Sequence, residues 1–528
     1  MIRRAASAPG AAPLRLRSLG LVALAALAAC EPTTGVAPAP TAAPTAAPTT
    51  SSSASGDPLG EKPALAPPKA FTPPAPEVFK TPNGITVWLV ERHTLPMVSI
   101  SVAVPSGSAQ DPADLPGLAH ITANMLDEGA GERNAVELSS AVNDLGATLS
   151  VGNTADGSFA SLTVLKKNYG PAFAILADVV ARPSFDPKEW KRVSELWQND
   201  LRKRADDASA VSRVVTSAIL YGPDTPYGHP SDGLLRGATK IELDTTKEFY
   251  AAHWRPERAV MVVTGDVTKA EITQAVTASL DSWKAAADPN AKPPAAPATD
   301  VKIAPPPGGP KQRLVLVDRP GAPQSVIAVV REGVSASDPR LARLELINTA
   351  LGGSFTSRLN QNLREDKGWS YGARSGFTEV RGQGAFVARA AVHTDKTGQA
   401  LKETLKELQE MAKSGLKPDE LLKVHAQDRA DLVQTYETVN GVTGRLAMLA
   451  MLGLPPSFDV TASRVRQTAT LQELGPLAQA HVDPSGAILV VVGPRAEVAP
   501  QLVELGMTPE MWNAEGMPLG TKAPAGKK

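Results

Sequence analysis

The sequence predicts an α+β protein: two homologous α/β sandwich domains, a tandem duplication, each with helices on one face of a largely antiparallel sheet. Two observations carry this. The first is repetition. Leu95-Pro96-Met97-Val98-Ser99-Ile100-Ser101-Val102 runs on to Asp111-Pro112, and Ala322-Pro323-Gln324-Ser325-Val326-Ile327-Ala328-Val329 runs on to Asp338-Pro339, 227 residues later. Near the far end of each segment, Val262-Val263-Thr264-Gly265-Asp266 matches Val491-Val492-Gly493-Pro494 in style, with the glycines 228 residues apart. Two offsets so nearly equal, from opposite ends, argue for duplication. The second is periodicity, which switches between the two-residue repeat of strands and the 3.6-residue repeat of helices inside each segment.

The elements of the first segment follow in order. Thr86 to Val90 and Ser99 to Val104 alternate as half-buried strands. A helix opens at about Leu118, after Pro116-Gly117, with Leu118, Ile121 and Met125 at helical spacing. Ser158 to Leu165 reads as a strand and Pro171 to Ala181 as a helix. Asp186-Pro187-Lys188-Glu189 opens the next helix with an aspartate cap, a first-turn proline and a glutamate three residues on. Ala259 to Val263 closes the segment as a strand.

Composition narrows the function. The 528 residues exceed one small domain, and 42% hydrophobic content is enough for substantial cores. Zero formal net charge and only 4% aromatic residues speak against nucleic acid as a partner. The predicted organisation is a signal peptide over 1–29, a Pro/Ala/Thr/Ser-rich tether over 30–75 and a first domain over 76–285. A linker over 286–310, a second domain over 311–510 and a tail over 511–528 complete it.

The amino terminus carries Arg3, Arg4, Arg15 and Arg17 before a short apolar run from Leu19 to Ala29, a signal-peptide pattern too short for a comfortable membrane span. Leu27-Ala28-Ala29-Cys30 resembles the bacterial lipobox, and Cys30 is the single cysteine. The resemblance implies cleavage before Cys30 and its acylation, hence a lipid-anchored protein on the periplasmic side of the cell envelope. Glu31, not Asp, follows Cys30, which favours the outer membrane; an ordinary signal peptide that happens to contain a cysteine is the alternative.

The chemistry centres on Gly117-Leu118-Ala119-His120-Ile121-Thr122-Ala123-Asn124. In the inverted zinc motif H-x-x-E-H, two histidines one helical turn apart bind the metal and the glutamate activates water. Here His120 stands, but Ala123 occupies the glutamate position and Asn124 that of the second histidine. Asn124 offers a neutral amide oxygen, a poor zinc ligand, and Ala123 cannot accept a proton. The remaining histidines (His93, His229, His253, His393, His425 and His481) show no ligand spacing.

The flanks make a family nameable. Ser106-Gly107-Ser108-Ala109, Gly117-Leu118-Ala119-His120, Tyr221-Gly222, Pro226-Tyr227-Gly228 and Phe249-Tyr250 carry the resemblance in the first segment. In the second it rests on Leu351-Gly352-Gly353-Ser354-Phe355-Thr356-Ser357-Arg358-Leu359 and Leu363-Arg364-Glu365-Asp366-Lys367-Gly368-Trp369-Ser370-Tyr371. Over about residues 76 to 510 the chain resembles the insulinase/pitrilysin (inverzincin) zinc peptidases, in their two-domain, processing-peptidase-like form. That form implies two sandwich domains making half of a clamshell. The family's third zinc ligand, a glutamate some eighty residues after the first histidine, falls at Asp200. Helical spacing from Leu196 and Trp197 places Asp200 on the apolar side, as a vestige of the site or as a paired core carboxylate. A second family glutamate, seven residues earlier, falls at Val193. The duplicate of His120 falls at Ile347 or Asn348. The resemblance also assigns Arg364 and Tyr371 to contacts with the substrate backbone and the developing oxyanion; Arg358 is read as structural.

Some members of this family work as two homologous chains, one with an intact zinc motif and one with the Arg/Tyr pair. The expectation is therefore a non-catalytic, substrate-binding subunit that holds peptides in the envelope. It would have no cofactor of its own, and its homologous partner would carry H-x-x-E-H and the zinc. A peptide-binding scaffold with no proteolytic role, and an atypical hydrolase built from His120, Asn124 and Asp200, are the alternatives.

Overall fold

Each half of the chain builds one six-stranded mixed sheet, and each sheet is covered on its second face by a helix from the other half. The structure is a computed structural model that describes residues 71–283, 312–506 and 508–519. The signal peptide, Cys30, most of the tether and the 286–310 linker lie outside the described residues.

The first sheet contains β1 (Glu77–Lys80), β2 (Thr86–Glu91), β3 (Met97–Val104), β4 (Thr148–Asn153), β5 (Ser158–Leu165) and β6 (Val260–Gly265), in the order β1-β2-β6-β3-β5-β4. The second contains β7 (Arg313–Asp318), β8 (Gln324–Glu332), β9 (Ser370–Phe377), β10 (Ala385–His393), β11 (Ile488–Gly493) and β12 (Glu510–Trp512), in the order β12-β7-β11-β8-β10-β9. The five-strand cores superpose in topology. In both, the closing strand enters parallel to the opening one (β2 with β6, β7 with β11), and the other core pairs are antiparallel. This is the duplication seen in the repeat.

The outer edges differ. β1 precedes β2 and pairs with it antiparallel, whereas β12 follows β11 and pairs with β7 in parallel. β12 crosses the 510/511 boundary drawn from the sequence, and its Trp512 is buried.

The expectation of helices on one face needs correcting. Val87 and Leu89 belong to the core that the first half builds with its own helices, while Trp88 and Val90 point to the opposite face. That face is covered by a helix from the second half, Val439–Met451, which brings Leu446, Ala447, Leu449 and Ala450 onto Trp88, Val90, Ala103 and Val262. Reciprocally, the helix Ala208–Tyr221 of the first half lays Val211, Val215, Ala218 and Ile219 on Val315, Val326, Ala328 and Val490 of the second sheet. The physical reason lies in runs such as Val87-Trp88-Leu89-Val90, apolar on both faces, which demand two covers. Each fully buried Leu in such a contact is worth about 1.5–3 kcal/mol.

Polar contacts fasten the halves as well. Tyr227 donates its hydroxyl to Asp156 (2.7 Å), at the turn between β4 and β5, and accepts the Gly382 amide (3.1 Å) from the turn between β9 and β10. The other Asp156 oxygen accepts the Arg381 amide (3.0 Å). Gly382 is required there: a Cβ would lie 2.7 Å from the Tyr227 ring.

Candidate functional site

Three of the helices position the site and are numbered here in chain order: α1 (Leu118–Asn124), α2 (Pro187–Arg204) and α3 (Ala208–Tyr221). The first helical turn of α1 is fixed by Asp111, whose carboxylate accepts the amides of Gly117 (2.7 Å) and Ala119 (2.8 Å). Burial pushes this carboxyl up to about 8, against the pull of those backbone donors. Gly117 has φ +109°, and a Cβ on it would stand 2.5 Å from the ring of Trp197, so α1 and α2 meet without a side chain between them.

His120 is enclosed by polar and aromatic neighbours. Its Nδ1 lies 3.1 Å from Asn153 Oδ1 at the end of β4, and its Nε2 lies 3.0 Å from Asn124 Nδ2. The consistent assignment has Nδ1–H donating to Asn153, and Nε2 accepting from Asn124. Asn153 is itself held, donating to Ser231 O (2.9 Å). The Trp197 ring packs on the imidazole at 5.8 Å between centroids, and its Nε1 donates to Asp232 O (2.9 Å). Burial, the largest effect, lowers the pKa of His120, so the ring is neutral at physiological pH. Ala123 is fully covered.

The arrangement does not fit zinc. Asn124 directs an N–H at the lone pair a metal would need, and Trp197, the α2 residue packed on His120, offers no ligand atom. Among the described residues no group of three or more His, Cys, Asp or Glu is placed to hold a metal.

The expected register of α2 is overturned. Asp200 is three-quarters exposed, 3.9 Å from Lys203, and Leu196 is half exposed. The buried stripe is Val193, Trp197 and Leu201. Asp200 is therefore neither a ligand vestige nor a core carboxylate: it lies one position off a stripe that steps by four. Sequence reasoning missed Trp197 and Asn153. Trp197 was open to detection as a member of that apolar stripe; what it packs on was not, and Asn153, distant in sequence, left no signal. In the second half, Ile347 is fully buried, and Asn348 accepts the Ser375 hydroxyl (2.6 Å).

Arg364 sits in a π-helical turn, Gln361–Asp366, with its guanidinium 4.5 Å over the Phe355 ring and 3.3 Å from Glu365. Tyr371 lies on β9, the outermost strand of its sheet, and is 83% exposed. Arg358 forms a fork with Glu420 (2.7 and 2.6 Å) and reaches Gly415 O (2.9 Å), the structural role expected of it.

A cavity of about 1080 Å³ opens between the halves. Tyr371 lines it, as do Asn153, Ser231 and Asp232 from beside His120; Arg364 is not among its lining residues. Elsewhere, Ser106 Oγ lies 2.6 Å from His253 Nδ1, but both are buried away from this cavity, and burial takes the His253 pKa down to about 4. That pair is core, not a nucleophile and its base.

Duplicated mixed sheets, a helix bearing His120 and an exposed edge strand bearing Tyr371 define the peptidase-like architecture of two-domain metallopeptidase homologues. Residues 86–221 match the insulinase family (peptidase family M16), residues 240–427 match the peptidase M16 inactive domain, and the chain belongs to that family. It is similar to the uncharacterized zinc protease YmxG of Bacillus subtilis (strain 168), 22% identical over 69% of this chain and 85% of that protein. It is also similar to the non-peptidase homolog YmxG of Helicobacter pylori, 23% identical over 76% of this chain and 90% of that protein. Among solved structures, a peptidase M16 inactive domain from Pseudomonas fluorescens matches with a TM-score of 0.70 at 25% identity, covering 79% of this chain and 98% of that one. A protease from Helicobacter pylori matches in fold, with a TM-score of 0.73 at 18% identity over 80% of this chain and 100% of that one.

Proposed function

We propose that this chain is a non-catalytic, substrate-holding subunit of an insulinase-family zinc metallopeptidase that acts on peptides in the cell envelope. The observation that carries the reading is the state of His120: both ring nitrogens are engaged by Asn153 and Asn124, and Trp197 covers the ring. A site closed in this way cannot activate water. The description of the Helicobacter pylori relative as a non-peptidase homolog supports the same reading. The proposed partner is a homologous chain with an intact H-x-x-E-H, which holds the zinc. Arg364 and Tyr371 are proposed to contact the substrate backbone and to donate to the negative charge that develops on it during attack. β4 and β9 end their sheets, so an extended peptide can add to either as a further strand, gaining affinity with little sequence demand. Anchorage through an acylated Cys30, on the periplasmic side and in the outer membrane, is part of the proposal.

Co-expression with a homologue carrying H-x-x-E-H, followed by a peptide-cleavage assay with each chain alone as control, tests it. Cleavage only by the pair supports the proposal. Stoichiometric zinc in the pure chain, or cleavage by this chain alone, sinks it. Association with an active pair whose cleavage is indifferent to Arg364→Ala and Tyr371→Ala would favour a scaffold role.

A further inference from the structure

The cavity between the halves carries a cationic cluster with no ion-pair partner among the described residues. Arg374 on β9 and Arg389 on β10 are direct cross-strand partners, and both line the cavity. Like charges so placed repel and destabilise a sheet. Arg213, on α3, lines the same cavity and adds its charge to the field at Arg389. None of the three has a hydrogen-bond or ion-pair partner among the described residues, and Arg389 Nε is a buried donor left unpaired. Burial, with Arg213 adding to it, takes the Arg389 pKa down to about 10, still cationic at neutral pH.

The acidic groups in the lining do not answer this charge. Glu379 pairs with Arg445 (3.0 Å), and Asp232 pairs with Arg204 (3.1 Å); neither arginine lines the cavity. His229, also in the lining, has its pKa lowered, chiefly by burial. Thr216, one turn along α3 from Arg213, is 6% exposed and leaves its Oγ1 without a partner. The cavity thus holds three guanidinium groups and an orphaned hydroxyl, beside the edge strand that carries Tyr371.

We propose that Arg213, Arg374 and Arg389 form a carboxylate-binding subsite that selects acidic peptides lying along β9. The proposal rests on the peptide-holding reading above and supplies its substrate class. A guanidinium fork takes a carboxylate through two parallel N–H···O bonds, and Thr216 can donate a further one. The carboxylate belongs either to an acidic side chain or to a peptide carboxy terminus; both present the same group to the fork.

Fluorescence anisotropy with the full chain separates these cases. Labelled, extended ten-residue peptides carry Glu at alternate positions or Gln in the same places, each as a free acid and as a carboxy-terminal amide. The expected result is at least about tenfold tighter binding of the Glu peptides at low salt, with the gap narrowing as salt screens the site. A free-acid preference that the amide loses would instead identify the carboxy terminus as the source. Arg374→Gln, at an exposed position, and Arg389→Gln should close the gap, the Glu peptides losing far more affinity than the amidated Gln peptide. Arg389→Gln should also unfold at a temperature no lower than the parent, because it removes like-charge repulsion. Equal binding of all four peptides, or a preference that survives both substitutions, overturns the subsite but leaves peptide holding intact. Absence of binding by any peptide overturns the peptide-holding reading itself, and the subsite with it.

Discussion

His120 in the first half has neither ring nitrogen free, whereas Tyr371, on the edge strand of the second, leaves 83% of its surface to solvent. The helix of the first half has its histidine held by its neighbours; the edge strand of the second presents an aromatic side chain that the fold does not use. The contrast teaches that the surroundings of His120 are tied into the fold while those of Tyr371 are not. Asn124 donates to the Nε2 lone pair, Trp197 packs on the ring, and Gly117 makes room for the tryptophan. Trp197 belongs to the hydrophobic core of the first half, beside His120, and that core should resist perturbation as other cores do.

The largest expected effect follows directly. Trp197→Ala removes a buried ring that touches His120 and Gly117, and should cost about 3–5 kcal/mol. Urea-induced unfolding followed by circular dichroism measures it. A loss under about 1 kcal/mol would mean that the tryptophan does not hold the packing around His120, and the contrast between the halves would weaken.

Next in size is the fastening between the halves. Tyr227→Phe leaves Asp156 without its hydroxyl donor and the Gly382 amide without its acceptor, both at buried positions. The cost should be about 1–3 kcal/mol. The decisive observation is limited proteolysis at the turn between β9 and β10, which should become faster in the variant. Unchanged protection there would show that the helices crossing between the sheets hold the halves together unaided.

Much of this was legible in the sequence, for identifiable reasons. The repeat gave matching offsets because the five core strands keep the same order and pairing in both sheets. Asp186 caps α2 as expected, accepting the Lys188 and Glu189 amides, although Glu189 turns to Arg192 and does not reach back to the cap. Pro226-Tyr227-Gly228 stood out as a motif, and its tyrosine proves to be the link to the second half. The exchange of covering helices was hidden, because the apolar face of Ala208–Tyr221 does not say which sheet it covers. The placement of Asp200 failed on a smaller point. The expected spacing rests partly on Leu196, which is half exposed, whereas the buried stripe runs through Val193, Trp197 and Leu201 and puts Trp197 against the histidine. The arginines of the cavity are far apart in the chain, and only the pairing of β9 with β10 and the crossing of α3 bring them together.

A smaller effect concerns pH. His120 has a folded-state pKa below its unfolded one, so the unfolded chain binds the proton first. The stability this residue contributes is present above the ordinary histidine range and is lost as pH falls through it. His120→Gln should remove that part of the acid sensitivity. Nitrogen-15 NMR of the parent should show a neutral ring protonated on Nδ1 at pH 7. A ring titrating at or above the free-imidazole value would mean that Asn124 leaves the lone pair available, reopening the case for a metal.

The smallest change in stability should accompany the largest change in function. Tyr371→Ala touches a side chain that is 83% exposed, so unfolding should shift by no more than about 0.5 kcal/mol. Yet the phenol lines the cavity between the halves, on the strand that also carries Arg374. If the second half grips substrate for a partner's zinc, Tyr371→Ala should lower kcat/KM of the assembled pair by about a hundredfold or more, the loss of one oxyanion donor. Tyr371→Phe should lose nearly as much, because the hydroxyl and not the ring makes the contact. A variant equal to the parent in both stability and cleavage would leave the two halves alike, each carrying only the residue of a lost site.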